Sequence, residues 1–210
     1  MRYAVKELFL TLQGEGAHTG RRAVFCRFAG CNLWSGREAD RARAQCGFCD
    51  TDFVGTDGPG GGTFADAAGL ARAARALWDD DGDVPFIVMT GGEPLLQLDD
   101  TLIAALHDAG FAIAVETNGT VAAPSGIDWL TVSPKAGTQT VQRRGQELKL
   151  VYPQAGAPPE AFANWDFQHF FLQPMDGPAR DANTQAALAY CRSHPQWRLS
   201  LQTHKRIGLP

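Results

Sequence analysis

The chain has 210 residues, 44% of them hydrophobic, with 19 basic against 23 acidic residues and a formal charge of -4. That length suits one domain with a substantial core, and the charge supplies no overall positive field for nucleic acid. Residues 1–10 lack a leader's apolar core, and no stretch approaches the roughly 18 apolar residues of a membrane span, so a cytoplasmic protein with no membrane partner is expected.

In chain order, an apolar stretch at 8–12 precedes a glycine-flanked loop, and then short apolar runs alternate with helical patterns. The runs at 23–29, 85–90, 111–116, 129–133, 147–152, 169–173 and 197–203 predict strands. Helical spacing predicts helices over 64–78, 98–109 and 181–194, the last ended by Pro195. The glycine-rich stretch 55–63, with Pro59, predicts a loop. Strands joined by helices imply an α/β fold with a mostly parallel sheet. Polar residues gather where those strands end: Thr90 to Pro94, Glu116 to Gly119, Ser133 to Lys135 and Gln173 to Met175. In such sheets that edge is where ligands bind, so one cleft is implied.

Five cysteines in a reducing compartment do not read as a disulfide framework. Cys31, Cys46 and Cys49 stand as C-x14-C-x2-C after the first of the parallel strands. Three thiolates with no histidine at ligand spacing leave one position open, as an iron-sulfur cluster used for chemistry requires, whereas structural zinc takes four ligands. A zinc-binding interaction module therefore needs a distant fourth ligand. Cys26 and Cys191 read as core residues. Arg27 interrupts an apolar strand, and a guanidinium there needs a protein carboxylate or an anionic ligand of matching fork geometry.

The motif resembles the radical S-adenosylmethionine (SAM) superfamily, whose usual C-x3-C-x2-C follows the first strand of a partial barrel with an aromatic before the third cysteine, as Phe48 stands here. The long gap, residues 32–45, resembles a subset of 7-carboxy-7-deazaguanine synthases. Further matches are Leu12-Gln13-Gly14-Glu15-Gly16, Arg27, Cys49-Asp50-Thr51, Gly91-Gly92-Glu93-Pro94, Glu116-Thr117-Asn118-Gly119, Ser133-Pro134-Lys135 and His204-Lys205. The resemblance implies a modified partial TIM-type barrel of about six parallel strands with few helices, one domain over 1–210, and a [4Fe-4S] cluster on Cys31, Cys46 and Cys49. It implies SAM held by Phe48, Cys49, Asp50, Gly92, Glu93, Ser133, Pro134, Lys135, Gln173, Pro174, Met175 and Asp176, with Gly92 and the Glu93 carboxylate at the methionine amino group. It makes Leu12, Gln13, Gly14, Glu15, Arg27, Thr90, Glu116, His204 and the terminal Pro210 contacts of a pterin substrate, with Arg27 on its carboxylate, and Thr51 a magnesium ligand. The implied reaction converts 6-carboxy-5,6,7,8-tetrahydropterin to 7-carboxy-7-deazaguanine with loss of ammonia, through a 5'-deoxyadenosyl radical that takes hydrogen from C6. It draws on an external, flavodoxin-like electron donor. An activase of glycyl-radical enzymes, from the same superfamily, is the alternative and would need a broad open mouth. A homodimer is expected because a shortened barrel leaves an exposed sheet edge.

Overall fold

A computed structural model of the chain describes residues 1–79 and 82–209. Pro210, expected at the substrate, lies outside the described residues. Alternating burial makes β1 (Tyr3–Leu12) the start of the sheet, and it folds back antiparallel onto β2 (Arg22–Phe28) through a single 3-10 turn at Gly16–His18. A short β3 (Gly62–Phe64) flanks the start of β1. From β2 onward every pairing is parallel, through β4 (Phe86–Gly91), β5 (Ala112–Thr117), β6 (Trp129–Val132), β7 (Arg144–Tyr152), β8 (Asp166–Pro174) and β9 (Trp197–Leu199). The sheet order is β3-β1-β2-β4-β5-β6-β7-β8-β9, with edges at β3 and β9. Seven parallel strands therefore form the expected open, barrel-like sheet, one more than the approximate six.

Three α-helices of nine or more residues cover it: α1 (Ala67–Arg75), α2 (Asp100–Asp108) and α3 (Arg180–Ser193). The connections from β5 to β8 run without an α-helix. The core divides accordingly. Leu70 and Ala74 of α1 and Leu102 and Leu106 of α2 pack with Ile87, Met89 and Ile113 of the sheet. A second cluster puts Ala187 of α3 against Leu148, Leu150, Leu172 and Trp197. Cys26 is fully buried in the first cluster, and Cys191 packs half-buried against the second.

Three expectations change. The loop expected over 55–63 ends in β3, because its backbone runs along β1: Leu8 donates to the Pro59 carbonyl at 2.8 Å and Gly58 to Lys6 at 2.9 Å. Side chains at Gly60 and Gly61 would collide with the Leu8 and Lys6 carbonyls, which explains the glycines. The helix expected from residue 64 starts at Ala67, where Asp66 accepts from Gly69 N–H at 2.7 Å. The strand expected over 197–203 stops at Leu199, and the chain turns into the short α4 (Thr203–Ile207). Its departure is fixed by Ser200, whose hydroxyl accepts from Gly16 N–H at 2.9 Å and donates to Gln173 at 3.2 Å.

Asp99 joins two layers. Its carboxylate caps α2 through Leu102 N–H at 2.9 Å and accepts the Tyr3 hydroxyl of β1 at 2.8 Å. Asp99→Ala removes the cap and strands a phenol whose side chain is fully buried, so a loss of about 1–3 kcal/mol is expected in urea unfolding. Tyr3→Phe, which removes the donor without leaving it unpaired, is expected to cost less.

Candidate active site

The strand ends of the parallel sheet surround one cavity of about 360 Å³, within the range of small-molecule sites. Its upper end holds the three cysteines. Although 14 residues separate Cys31 from Cys46, the insertion is closed at its neck, where Gln45 N–H donates to the Leu33 carbonyl at 3.1 Å. Gly30 N–H donates to the Phe53 carbonyl at 3.1 Å, which ties the segment after Cys49 back to the residue before Cys31. All three thiols line the cavity. Leu33 N–H points at Cys31 Sγ (3.4 Å), while burial raises the pKa of that thiol. Cys46 donates to Cys49, which lowers the Cys49 pKa to about 6 and raises that of Cys46. Half-buried Lys135, held by the Ser133 carbonyl and hydroxyl at 2.6 and 2.7 Å, adds a cation facing Cys46 and Cys49, and burial lowers its own pKa.

This donor set fits a cluster bound by three thiolates: sulfur alone, a free corner on the cavity side, and N–H and cationic partners for the negative charge. Among the described residues no three of Cys, His, Asp or Glu are drawn close enough for one metal ion, as a mononuclear zinc site would need.

Beside the cysteines, Gly92 sits against the Gly30 carbonyl and the Cys31 side chain, and a Cβ there would overlap both. That close approach explains the glycine, and both Gly91 and Gly92 line the cavity. Glu93 departs from expectation. It is fully buried outside the cavity lining, with Oε1 accepting from Leu95 N–H (3.0 Å) and the Thr117 hydroxyl (2.7 Å), and Oε2 from Asn118 N–H (2.8 Å). Its carboxylate ties the end of β4 to the end of β5. Burial still raises its pKa despite three donors. Pro134 is likewise buried behind the lining, its carbonyl facing Gln154 at 3.4 Å. The other residues expected at the cofactor, Phe48, Cys49, Asp50, Ser133, Lys135, Gln173, Pro174, Met175 and Asp176, all line the cavity, as does Thr51.

The floor is polar. Leu12, Gln13, Gly14, Glu15, Arg27, Thr90, Glu116 and His204 all line it. Gln13 donates to Glu116 Oε1 at 3.1 Å and accepts from Glu15 N–H at 3.0 Å. Arg27 stands opposite Glu7 on the β1–β2 ladder and donates through Nε at 2.6 Å, so a protein carboxylate takes one edge of the guanidinium. Its Nη1 and Nη2 make no protein hydrogen bond among the described residues, which leaves a two-pronged donor for an anion in the cavity.

The sequence reading missed Lys149. It comes from β7, is 5% exposed, and bridges Glu15 at 2.5 Å and Glu116 at 3.3 Å. Burial alone would lower its pKa, but Glu116, Glu15 and Glu147 outweigh that and raise it. Burial pushes Glu15 up, and Lys149 overrides this, bringing Glu15 to about 2. A lysine inside the apolar run Leu148 to Val151 was the available signal. Lys205, singled out with His204 in the sequence but given no role there, pairs with Asp50 at 2.5 Å and Asp176 at 2.6 Å. With Gln202, which donates to Glu15 and Asp50, it straps α4 from the cysteine loop to the end of β8. The mouth is thus crossed by the C-terminal segment and is not the broad opening an activase would need.

A model of the radical SAM superfamily matches residues 40–148, just over half the chain, beginning inside the insertion and after Cys31. The chain belongs to that superfamily. The 7-carboxy-7-deazaguanine synthases of Caulobacter vibrioides and Bordetella pertussis are each 68% identical to it, over all 210 residues and the full length of both proteins. The crystal structure of QueE from Escherichia coli is 28% identical, with a TM-score of 0.71, covering 97% of this chain and 95% of that one. Within the superfamily, the chain is a member of the 7-carboxy-7-deazaguanine synthase family, which sets aside the activase and zinc-module readings.

Lys149→Met is expected to cost about 3–5 kcal/mol, because one partner of a buried ion pair is lost. The pH dependence carries the sign. In the native protein Glu15 lies below its ordinary 4.5, so its pairing contributes fully above pH 4.5 and is lost only as pH falls toward 2. Without the lysine, buried neighbouring carboxylates shift upward, and stability falls as pH rises above 4.5. Glu93 and Glu147, raised by burial, already make the parent decline somewhat over that range, so urea unfolding between pH 4.5 and neutrality should show the variant declining more steeply than the parent.

Proposed function

We propose that the residues of this cavity carry out the family's reaction on 6-carboxy-5,6,7,8-tetrahydropterin, giving 7-carboxy-7-deazaguanine with loss of ammonia. The observation that carries the reading is that three cysteines, a half-free arginine and an acid–amide floor open into one cavity. Cys31, Cys46 and Cys49 would hold the [4Fe-4S] cluster. Gly92, Ser133, Lys135 and the turn Gln173 to Asp176, with Phe48 and Asp50 from the cysteine loop, would hold SAM. When bound, the cluster and SAM together supply hydrogen-atom abstraction from carbon.

The protein's own contribution is recognition and placement. Arg27 offers Nη1 and Nη2 to the substrate carboxylate, its orientation fixed through Nε by Glu7. Glu15, held ionised beside Lys149, and Glu116 accept from the N–H groups of the pterin's amino-pyrimidinone edge, and Gln13 adds an amide at the same level. Thr90, the ladder neighbour of Arg27, and His204, packed over Gly14, border the ring. Thr51 supplies a hydroxyl for Mg2+ shared with the substrate's own oxygens, a sparse protein contribution that suits an ion which retains its waters. The strap of Gln202 and Lys205 limits water at the reacting centre.

An external, flavodoxin-like donor would supply the electron, in the cytoplasm; among the described residues no helix is long and apolar enough to cross a membrane. One continuous sheet supports a single domain. The uncovered three-residue edges at β3 and β9, with exposed Leu10 and Leu12, leave surface for a second copy in a homodimer.

Anaerobic incubation of the reconstituted protein with SAM, dithionite and the carboxytetrahydropterin is expected to yield 7-carboxy-7-deazaguanine and 5'-deoxyadenosine by mass spectrometry. Cofactor cleavage without that product would reject the substrate. Arg27→Gln is expected to raise KM by about tenfold or more, the scale of a lost charge-assisted pair, with slow uncoupled cofactor cleavage retained.

A further inference from the structure

The insertion between Cys31 and Cys46 contains one guanidinium whose bonds run back to the cysteine turn. Arg41 lies in the 3-10 helix Glu38–Arg43 and is set over the Trp34 ring, 4.2 Å from its centroid. Its Nε donates to both oxygens of Glu38 at 2.9 and 2.8 Å. Its Nη1 donates to the carbonyls of Gly47 at 2.9 Å and Cys49 at 3.0 Å. Those carbonyls bracket the C-x2-C turn, since Gly47 follows one cysteine and Cys49 is the next. Trp34 is itself fixed: it is buried, donates to the Arg37 carbonyl at 3.2 Å and meets Phe53 edge-on. Phe53 in turn accepts from Gly30 at the root of the loop. Arg43, two residues on, is exposed and, among the described residues, paired only with Asp40 at 3.3 Å.

We propose that Arg41 is a positioning residue for the iron-sulfur cluster, fixing the turn that carries two of its three ligands and setting a permanent positive charge beside the Cys49 peptide. The inference rests on the cluster site proposed above. A planar fork can serve a carboxylate and two carbonyls while stacked on an indole, which an ammonium cannot reproduce, and it keeps its charge at every working pH. A cation and hydrogen bonds near a cluster favour its reduced, more negative form, so Arg41 raises the reduction potential as well as retention. On this account the long insertion replaces the rigidity that a three-residue gap would give by covalent constraint alone.

The test compares anaerobically reconstituted wild type, Arg41→Gln, Arg41→Lys and Arg43→Gln without SAM or substrate. Iron release to a chelator, midpoint potential by EPR-monitored titration, and thermal melting are measured. Arg41→Gln is expected to release iron about tenfold to a hundredfold faster, the scale of an outer-shell loss, and to have a lower potential. Arg41→Lys should retain part of the potential but lose iron as fast, and Arg43→Gln should match wild type. Arg41→Gln with wild-type retention and potential would overturn the proposal, as would an equal shift in Arg43→Gln. If Arg41→Gln does not fold, Arg41→Lys decides through the same readings, since wild-type iron release from it would count against positioning. A wild type that takes up no cluster would defeat the cluster site itself, not the role of Arg41.

Discussion

Everything in this site depends on three cysteines opening into one cavity although 14 residues of chain lie between the first and second. Closing that loop has an entropic cost that grows with its length, and a floppy closure would let the ligands wander. The chain meets the cost with backbone hydrogen bonds at the neck, from Gln45 to Leu33 and from Gly30 to Phe53, and with packing of Trp34 against Phe53. Those contacts turn a long insertion into a fixed frame. The sulfurs then share one electrostatic environment, in which Cys46 donates to Cys49 and Lys135 faces both.

The opposite end of the cavity obeys a different constraint. Glu15 and Glu147 are brought together in a poorly solvated floor, where like charges would refuse to ionise side by side. Lys149 decides which of them do. It pulls Glu15 far below the ordinary carboxylate range, whereas burial leaves Glu147 raised although Ala17 N–H also donates to it at 3.0 Å. A ligand therefore meets an ionised acceptor at Glu15, with the Arg27 fork lining the same cavity. The C-terminal strap links the two ends, because Gln202 bonds both Glu15 of the floor and Asp50 of the cysteine loop.

The parallel sheet was legible because strands buried on both faces appear as short continuous apolar runs, and the residues at their ends mark the cleft. Short elements were less visible. β3 hides in a glycine-rich stretch because close approach to β1, not propensity, places it there, and α4 follows a strand-like apolar pattern that tertiary contacts of Ser200 interrupt. At the site, cysteine spacing and Arg27 could be read directly, since a charged residue in an apolar strand demands a partner. The Glu7 pairing could not, because it depends on β1–β2 register. Gly-Gly-Glu-Pro could be read as a turn at a strand end, but that the Glu93 carboxylate faces inward to Thr117 and Asn118 depends on how β4 and β5 lie side by side. Lys149 carried a signal that was passed over, while Lys205 and Arg41 gain their meaning only from neighbours brought together by folding.

The most direct measurement is iron, sulfide and EPR on the protein purified and reconstituted without oxygen, in parallel with Cys31→Ala. About four irons and as many sulfides per chain are expected, with a signal on dithionite reduction that changes when SAM is added, and with both reduced in the variant. A single zinc without sulfide, or a colourless protein silent after reduction, would contradict the account.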